Sequence, residues 1–214
     1  GFSYDANAPI PGLDSGNPDR VQILVTCMVD AFYPAVGTSV VEILEAQGIA
    51  VEFSCDQTCC GQPAFNGGFW NDARGIARHT LDVFSMTDGP IVVPSGSCVD
   101  MIVNHYPEIL KDDAEYMSTA QDVAARTHEF TQFLVDKLGL TDVGASFCGR
   151  AAYHPSCHGL RSLNIREQPQ TLLAHVDSLE QVELACAEEY RGFGGLFSVT
   201  MSTISGAMLE RKLN

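Results

Sequence analysis

The residues of this sequence most able to do chemistry are two adjacent cysteines and the turn that follows them. Cys59 and Cys60 stand directly before Gly61. Adjacent side chains on an extended strand point to opposite faces, so both thiolates reach one centre only where the backbone turns sharply. Gly61 permits such a turn, and Pro63 is expected to end any regular helix or strand there. Thiolates hold iron–sulfur clusters, so a cluster is the leading interpretation and two buried structural thiols are the alternative.

Short apolar runs precede these and two further cysteines, and they predict the strands that would position them. Residues 21–26 lead to Cys27, residues 49–53 to the Cys-Cys-Gly turn, and residues 91–94 to Cys98. A helical pattern between the first two runs predicts a βαβ unit and hence a parallel sheet. Ligands of open α/β sheets bind at the carboxyl ends of the strands. We therefore expect the four thiols to converge there.

The second half of the chain repeats the order of the first. There are 31 residues between Cys27 and Cys59, and 32 between Cys157 and Tyr190, with Gly192 in the place of Gly61. The sequence thus predicts an α/β protein of two pseudo-symmetric βαβ halves with parallel sheets, produced by internal duplication. The expected division is an extended N-terminal arm over 1–20, a first half with the intact cysteine site over 21–111, a helical connection over 112–148 and a degenerate second half over 149–214.

Composition excludes several classes of function. The 214 residues carry a net charge of −15 from 12 basic and 27 acidic residues, which argues against binding nucleic acid or an anionic membrane. No apolar run reaches the length of a membrane span, and we expect neither membrane insertion nor a signal peptide. Eight cysteines without an export signal favour metal ligands over disulfides. No Gly-x-Gly-x-x-Gly follows a strand, so we expect no flavin or nicotinamide site.

The cysteine pattern resembles the cysteine-rich CCG domain family, to which heterodisulfide reductase contributes one of its subunits. That family also includes iron–sulfur subunits of glycolate and glycerol-3-phosphate dehydrogenases. The stretches at 57–66, 93–98, 153–158, 192–199 and 204–208 look most like its lactate-utilisation branch. The resemblance implies a cytoplasmic complex that oxidises L-lactate to pyruvate. In that complex this chain would carry electrons beside a ferredoxin-like iron–sulfur subunit and a third, small subunit.

The resemblance also implies one [4Fe–4S] cluster, in cubane or non-cubane form, held by Cys27, Cys59, Cys60 and Cys98. Ser95 stands where heterodisulfide reductase has a further cysteine, and its hydroxyl is expected either to donate to a cluster sulfur or to cap the next helix. Two alternatives stay open. One is thiol–disulfide chemistry at the cluster, as in heterodisulfide reductase, and the other is a structural zinc ion on the same four thiols.

The remaining candidate residues lie mainly in the second half, where Tyr190 and Arg191 replace the paired cysteines. Cys157 is flanked by His154 and His158, which together suggest a metal or redox site or its vestige. Arg191 is expected to form a surface ion pair with a neighbouring glutamate, the alternative being a substrate carboxylate. The chain's other cysteines are expected to be packed thiols: Cys55, Cys148 and Cys186.

Overall fold

The computed structural model describes residues 18–213, so most of the predicted N-terminal arm lies outside the described residues. The strands are β1 (Arg20–Ile23), β2 (Ala50–Glu52), β3 (Ile91–Val93), β4 (Thr127–Glu129), β5 (Ser146–Ala151) and β6 (Asp177–Gln181). The helices are α1 (Cys27–Phe32), α2 (Pro34–Ala46), α3 (Gln62–Asn66), α4 (Trp70–Ser85), α5 (Gly96–Asp100), α6 (Tyr106–Ile109), α7 (Met117–Arg126), α8 (Phe130–Gln132), α9 (Glu167–Ala174), α10 (Leu196–Thr200) and α11 (Ser202–Leu213). π-Helical turns occupy Met101–His105, Phe133–Lys137 and His158–Ser162.

Four parallel strands in the order β2-β1-β3-β4 form the first sheet. Their side chains alternate between two apolar clusters on opposite faces. Ile91 and Val93 join the cluster under α4 and α5, whereas Val92 joins the cluster under α2. Helix α2 begins with Pro34 in its first turn and is followed by Gly48 at φ +79°, as its sequence predicts. The predicted α/β class with parallel sheets is therefore confirmed.

The edge strand β4 differs from the sequence prediction, because residues 112–148 carry a mainly helical pattern. Its residues are polar, yet Thr127 and His128 are buried. The chain tolerates this because hydrogen bonds replace the lost water around it. Arg126 donates to the carbonyl oxygens of Gly89 (2.8 Å) and Phe84 (2.9 Å), and Thr127 donates to that of Val123 (2.7 Å). The domain boundaries at 111 and 148 remain predictions.

The second half contains a parallel pair, β5 and β6, joined through α9. As in the first half, the second strand leads to a left-handed glycine and then to one short and one longer helix. Gly61 and Gly192 both have φ +83°. A Cβ at Gly61 would lie 3.2 Å from Ile76 Cγ2 on α4, and one at Gly192 would lie 2.7 Å from the Ser205 carbonyl on α11. These matching turns bear out the predicted duplication.

The two halves meet next to the cysteine-bearing strand ends. Gly96 in α5 approaches Gly159 so closely that a Cβ would lie 3.3 Å from the Gly159 backbone. Beside this contact Asp100 Oδ2 accepts a hydrogen bond from His158 Nδ1 at 2.5 Å. Asp100 also accepts from Asn104 Nδ2 at 2.7 Å, and its side chain is 2% exposed. A buried carboxylate with these partners links the repeats.

One core side chain has neither water nor a polar neighbour. His128 on β4 is 2% exposed, and neither ring nitrogen has a hydrogen-bond partner within residues 18–213. Burial lowers its pKa from 6.5 to about 3, with a smaller contribution from the positive charge of Lys137. Between those pH values the unfolded chain binds a proton that the folded chain refuses. Stability is therefore unaffected above pH 6.5 and falls as the pH drops below it.

We predict that a His128→Leu variant loses less stability than the parent protein on acidification. Lowering the pH from 7.5 to 5 should cost the parent about 2 kcal/mol more than the variant, since each pH unit below 6.5 costs up to about 1.4 kcal/mol. Urea unfolding at both pH values measures the difference. His175→Leu, at an exposed histidine, is the control and should follow the parent. Parallel behaviour of His128→Leu and the parent would contradict the prediction.

Candidate metal centre

The four predicted ligands lie just beyond the carboxyl ends of three neighbouring strands. Cys27 begins α1 after β1, and the Thr26 hydroxyl caps that helix by accepting from Val29 N. Cys59 and Cys60 follow β2 and precede α3, and Cys98 is the third residue of α5 after β3. Parallel pairing places these strand ends at one edge of the sheet. The sequence positions, 71 residues apart at most, thus become neighbours.

The four thiols follow one another in a chain of contacts. Cys59 Sγ lies 3.7 Å from Cys27 Sγ. The Cys60 thiol hydrogen-bonds to both Cys59 and Cys98, so it lies between them. Cys27 is exposed, Cys59 is half-buried, and Cys60 and Cys98 are buried. The structure therefore brings all four predicted ligands together, with one end of the row open to the surface.

These contacts divide the thiols into two kinds. The hydrogen bond from Cys60 lowers the pKa of Cys59 to about 5, helped by the Gly61 N–H, which lies 3.5 Å from its sulfur. Contact with Cys60 likewise lowers the pKa of Cys98. Burial, followed by the negative charge of Cys59, raises the pKa of Cys27 to about 11. Cys60, between two thiolates, has a raised pKa. Two members of the set are thus ready anionic ligands.

Polar side chains that sequence reasoning missed hold the Cys-Cys-Gly turn in place. The amide of Gln57 accepts from Val25 N at 2.7 Å and donates to the Ile23 and Ser54 carbonyls at 3.0 Å. The buried Tyr106 hydroxyl donates to the Cys60 carbonyl at 2.8 Å. Nothing in the spacing of these residues indicates such contacts, which depend on side chains more than 30 residues away.

The backbone of the turn agrees with one expectation and corrects another. Gly61 is left-handed, as the sharp turn requires. Pro63, however, does not end regular structure. It lies in the first turn of α3, where an N–H would have no helical partner and its loss costs nothing. Gln62, beside it, donates to the Ser97 carbonyl at 3.1 Å and thereby ties α3 to α5.

Ser95 precedes α5 and supports Cys98. Its side chain makes no capping hydrogen bond within the described part of the chain, so the capping role expected as an alternative is wrong. The hydroxyl lies 3.2 Å from Ser97 Oγ. Both serines hydrogen-bond to the Cys98 sulfur and lower its pKa, although less than Cys60 does. A hydroxyl so placed stabilises a thiolate at position 98.

The corresponding region of the second half is differently occupied. His154 Nδ1 donates to the Ala187 carbonyl at 2.7 Å, and His158 is bound to Asp100. Arg191 lies over the Phe193 ring, 5.7 Å from its centroid. The ion pair expected for Arg191 is wrong, because the neighbouring glutamates have other partners within residues 18–213. These partners are Arg166 for Glu188 (3.3 Å) and Arg211 for Glu189 (3.5 Å).

Three cysteines expected in the core are exposed instead: Cys55, Cys148 and Cys186. Cys148 is on β5, whose sheet has only two strands among the described residues, so its side chains reach solvent. Cys55 and Cys186 lie in equivalent turns before the two left-handed glycines. All eight thiols are free.

No group of three or more His, Cys, Asp or Glu side chains in residues 18–213 is arranged to hold a single metal ion. The thiols form a row rather than a tetrahedron around one point. A mononuclear zinc site needs four donors at about 2.3 Å from the metal. A polynuclear cluster instead takes each thiolate at a different iron. The donor set therefore fits a cluster better than one ion.

Comparison with known proteins identifies the class. The family model described as the cysteine-rich (CCG) domain matches residues 21–103 and 151–214, which are the two repeats of the fold. The chain belongs to this cysteine-rich domain family.

Its curated relatives are more specific. The chain is 45% identical over 196 residues to Lactate utilization protein A of Exiguobacterium sp. (strain ATCC BAA-1283 / AT1b). It is 46% identical over 194 residues to the protein of the same name from Geobacillus kaustophilus (strain HTA426). Both matches cover 91% of this chain and 80% of the relative. The resemblance to the lactate-utilisation branch is thus confirmed. No helix in residues 18–213 is long and apolar enough to cross a membrane.

Proposed function

We propose that this chain is an iron–sulfur electron-transfer subunit of a complex that oxidises L-lactate to pyruvate. The observation that carries the proposal is the meeting of four thiols from three strand ends. Cys27, Cys59, Cys60 and Cys98 are the proposed ligands of one [4Fe–4S] cluster, and Ser95 is the proposed hydroxyl donor beside it. Such a cluster would accept and release single electrons.

The chain's own residues define the conditions at that centre. Cys59 and Cys98 supply thiolates without the need for strong base. The buried sides of Cys60 and Cys98 exclude water from one end of the row, while the exposed Cys27 keeps the other end within reach of a partner. Hydrogen bonds to ligand sulfurs adjust a cluster's potential, and Ser95, Ser97 and the Gly61 N–H are positioned to provide them.

Lactate enters the proposal through the relatives. Their name refers to lactate utilisation, and they match nine-tenths of this chain at about 45% identity. Removing electrons from lactate requires further redox centres, so the proposed partners are a ferredoxin-like iron–sulfur subunit and a third, small subunit. A cytoplasmic complex is proposed, because eight free thiols suit a reducing compartment.

A second candidate function is thiol–disulfide chemistry at the same centre. It is favoured by one observation: the exposed Cys27 thiol lies 3.7 Å from a sulfur whose pKa is about 5. Small-molecule thiols and disulfides would then change the spectrum of the cluster. Electron transfer to a protein partner predicts no such change.

The experiment that tests the proposal is metal analysis of anaerobically purified protein. We expect about four irons and four acid-labile sulfides per chain, with broad brown absorbance, as one [4Fe–4S] cluster requires. One zinc and no sulfide would make the chain a structural subunit and overturn the proposal. About eight irons would show that the second half also holds a cluster, contrary to its replaced ligands.

A further inference from the structure

The helical corner that begins at Cys27 is more exposed than its composition predicts. Every residue from position 30 to 36, across the junction of α1 and α2, is exposed. The large apolar side chains there are 41% (Met28), 67% (Phe32), 61% (Tyr33) and 43% (Val36) exposed. Four such side chains within nine positions form a contiguous apolar surface beside a proposed ligand, and surfaces of this kind mark interaction sites.

A groove of about 390 Å³ continues this surface along the same edge of the sheet. Five residues of α2 line one side of it, and Pro94, Glu129 and Phe130 at the ends of β3 and β4 line the other. Val36 belongs both to the exposed corner and to the groove. An apolar strip therefore runs from Cys27 to a concave site able to receive a side chain of another protein.

The charge around this strip has one sign. Between Val21 and Ala73 the sequence contains no lysine, arginine or histidine and six acidic residues. These 53 residues include α1, α2, the Cys-Cys-Gly turn and α3. All six acidic residues are exposed: Asp30, Glu42, Glu45, Glu52, Asp56 and Asp72. The resulting field attracts a basic partner and repels anionic lipid or nucleic acid.

We propose that the corner formed by Met28, Phe32, Tyr33 and Val36 docks an electron-carrier protein whose redox centre lies within an apolar patch rimmed by lysine or arginine. The proposal rests on the proposed function, since it assigns the exposed Cys27 end of the thiol row as the exit for electrons. Apolar contact at the centre brings the two redox groups together, and the acidic surroundings orient the partner.

Cytochrome c is a suitable probe, because it is strongly basic and has an exposed haem edge. Binding is measured by isothermal titration calorimetry at low and moderate salt, on cluster-loaded and metal-free protein alike. We expect Phe32→Ser and Tyr33→Ser each to weaken binding roughly tenfold, as truncated anchor side chains do. Phe147→Ser is the matched control, because Phe147 is 58% exposed in the second half. Its affinity should equal that of the parent, and the parent's affinity should fall with salt.

Electron transfer gives a second readout. Dithionite-reduced protein passes one electron to ferric haem, which becomes ferrous, and no bond is formed or broken. Phe32→Ser should slow this step about tenfold at subsaturating cytochrome c. Oxidation by methyl viologen, which needs no docking surface, should stay unchanged.

Three results would overturn the inference while leaving the proposed function intact. Unchanged binding by both Phe32→Ser and Tyr33→Ser would remove the corner from the interface. Equal or tighter binding of an acidic plant-type ferredoxin would contradict the charge argument. Self-association of the parent in sedimentation, abolished by Phe32→Ser, would identify a second copy of this chain as the occupant. Absence of iron from the parent protein would overturn the proposed function instead.

Discussion

A Cys60→Ser variant is expected to purify colourless and without cluster iron. Cys60 is the buried member of the row that contacts two other thiols, so its loss removes a ligand and breaks the connection between Cys59 and Cys98. A serine hydroxyl is a poor replacement, because it keeps its proton at neutral pH and lacks the soft sulfur that iron–sulfur centres take. Cys59→Ser should have the same effect. Iron and acid-labile sulfide content, with the visible spectrum, measure the outcome.

The matched control is Cys148→Ser. Cys148 is a free thiol exposed on β5, outside the row, and its replacement should leave the iron content unchanged. Circular dichroism of each variant shows whether the fold is retained. Full iron content in both Cys59→Ser and Cys60→Ser would mean that these residues are not ligands. Loss of iron in Cys148→Ser would show that iron loss is not specific to the row.

The second large effect concerns the contact between the two halves. An Asp100→Ala variant is expected to lose about 3 kcal/mol of unfolding free energy, since removing one member of a buried, hydrogen-bonded charge pair has costs of that size. Burial by itself would raise the pKa of Asp100. The hydrogen bonds from His158 and Asn104 outweigh it, and the pKa is lowered. Both partners lose their acceptor in the variant.

Urea unfolding of metal-free protein measures this loss without interference from a cluster. Glu108→Ala is the control, because Glu108 is 66% exposed and contacts only His105 at the surface. It should change stability by less than about 0.5 kcal/mol. If Asp100→Ala and Glu108→Ala are equally stable, the Asp100–His158 contact does not hold the repeats together.

The sequence predicts this fold and candidate site unusually far, for identifiable reasons. Apolar runs that end at Cys27, Cys59 and Cys98 suffice to place three strands in one parallel sheet. Parallel strands end at a common edge, so the meeting of the thiols follows from topology alone. The glycine of each repeat also follows from sequence, because few other residues adopt φ +83°.

What the sequence does not reveal depends on contacts between distant side chains. β4 is too short and too polar to show a strand pattern, and it is buried only because Arg126 and Thr127 find carbonyl partners. The pairing of Asp100 with His158 spans 58 positions and has no periodic signal. Burial of Cys148 is the natural expectation because thiols are usually buried, but its two-stranded sheet exposes it.

The second repeat has a consequence for how the protein matures. Its turn reaches the same glycine conformation as the first, φ +83°, with Tyr190 and Arg191 where thiolates would stand. Tyrosine stacking near Phe197 and the Lys212 ammonium, bound to three carbonyls at 2.7 to 3.0 Å, support that turn instead of a metal. The scaffold therefore encodes the turn independently of any iron. Biogenesis can then proceed in two separate stages, in which the polypeptide folds first and the assembly machinery delivers its cargo to a ready-made acceptor.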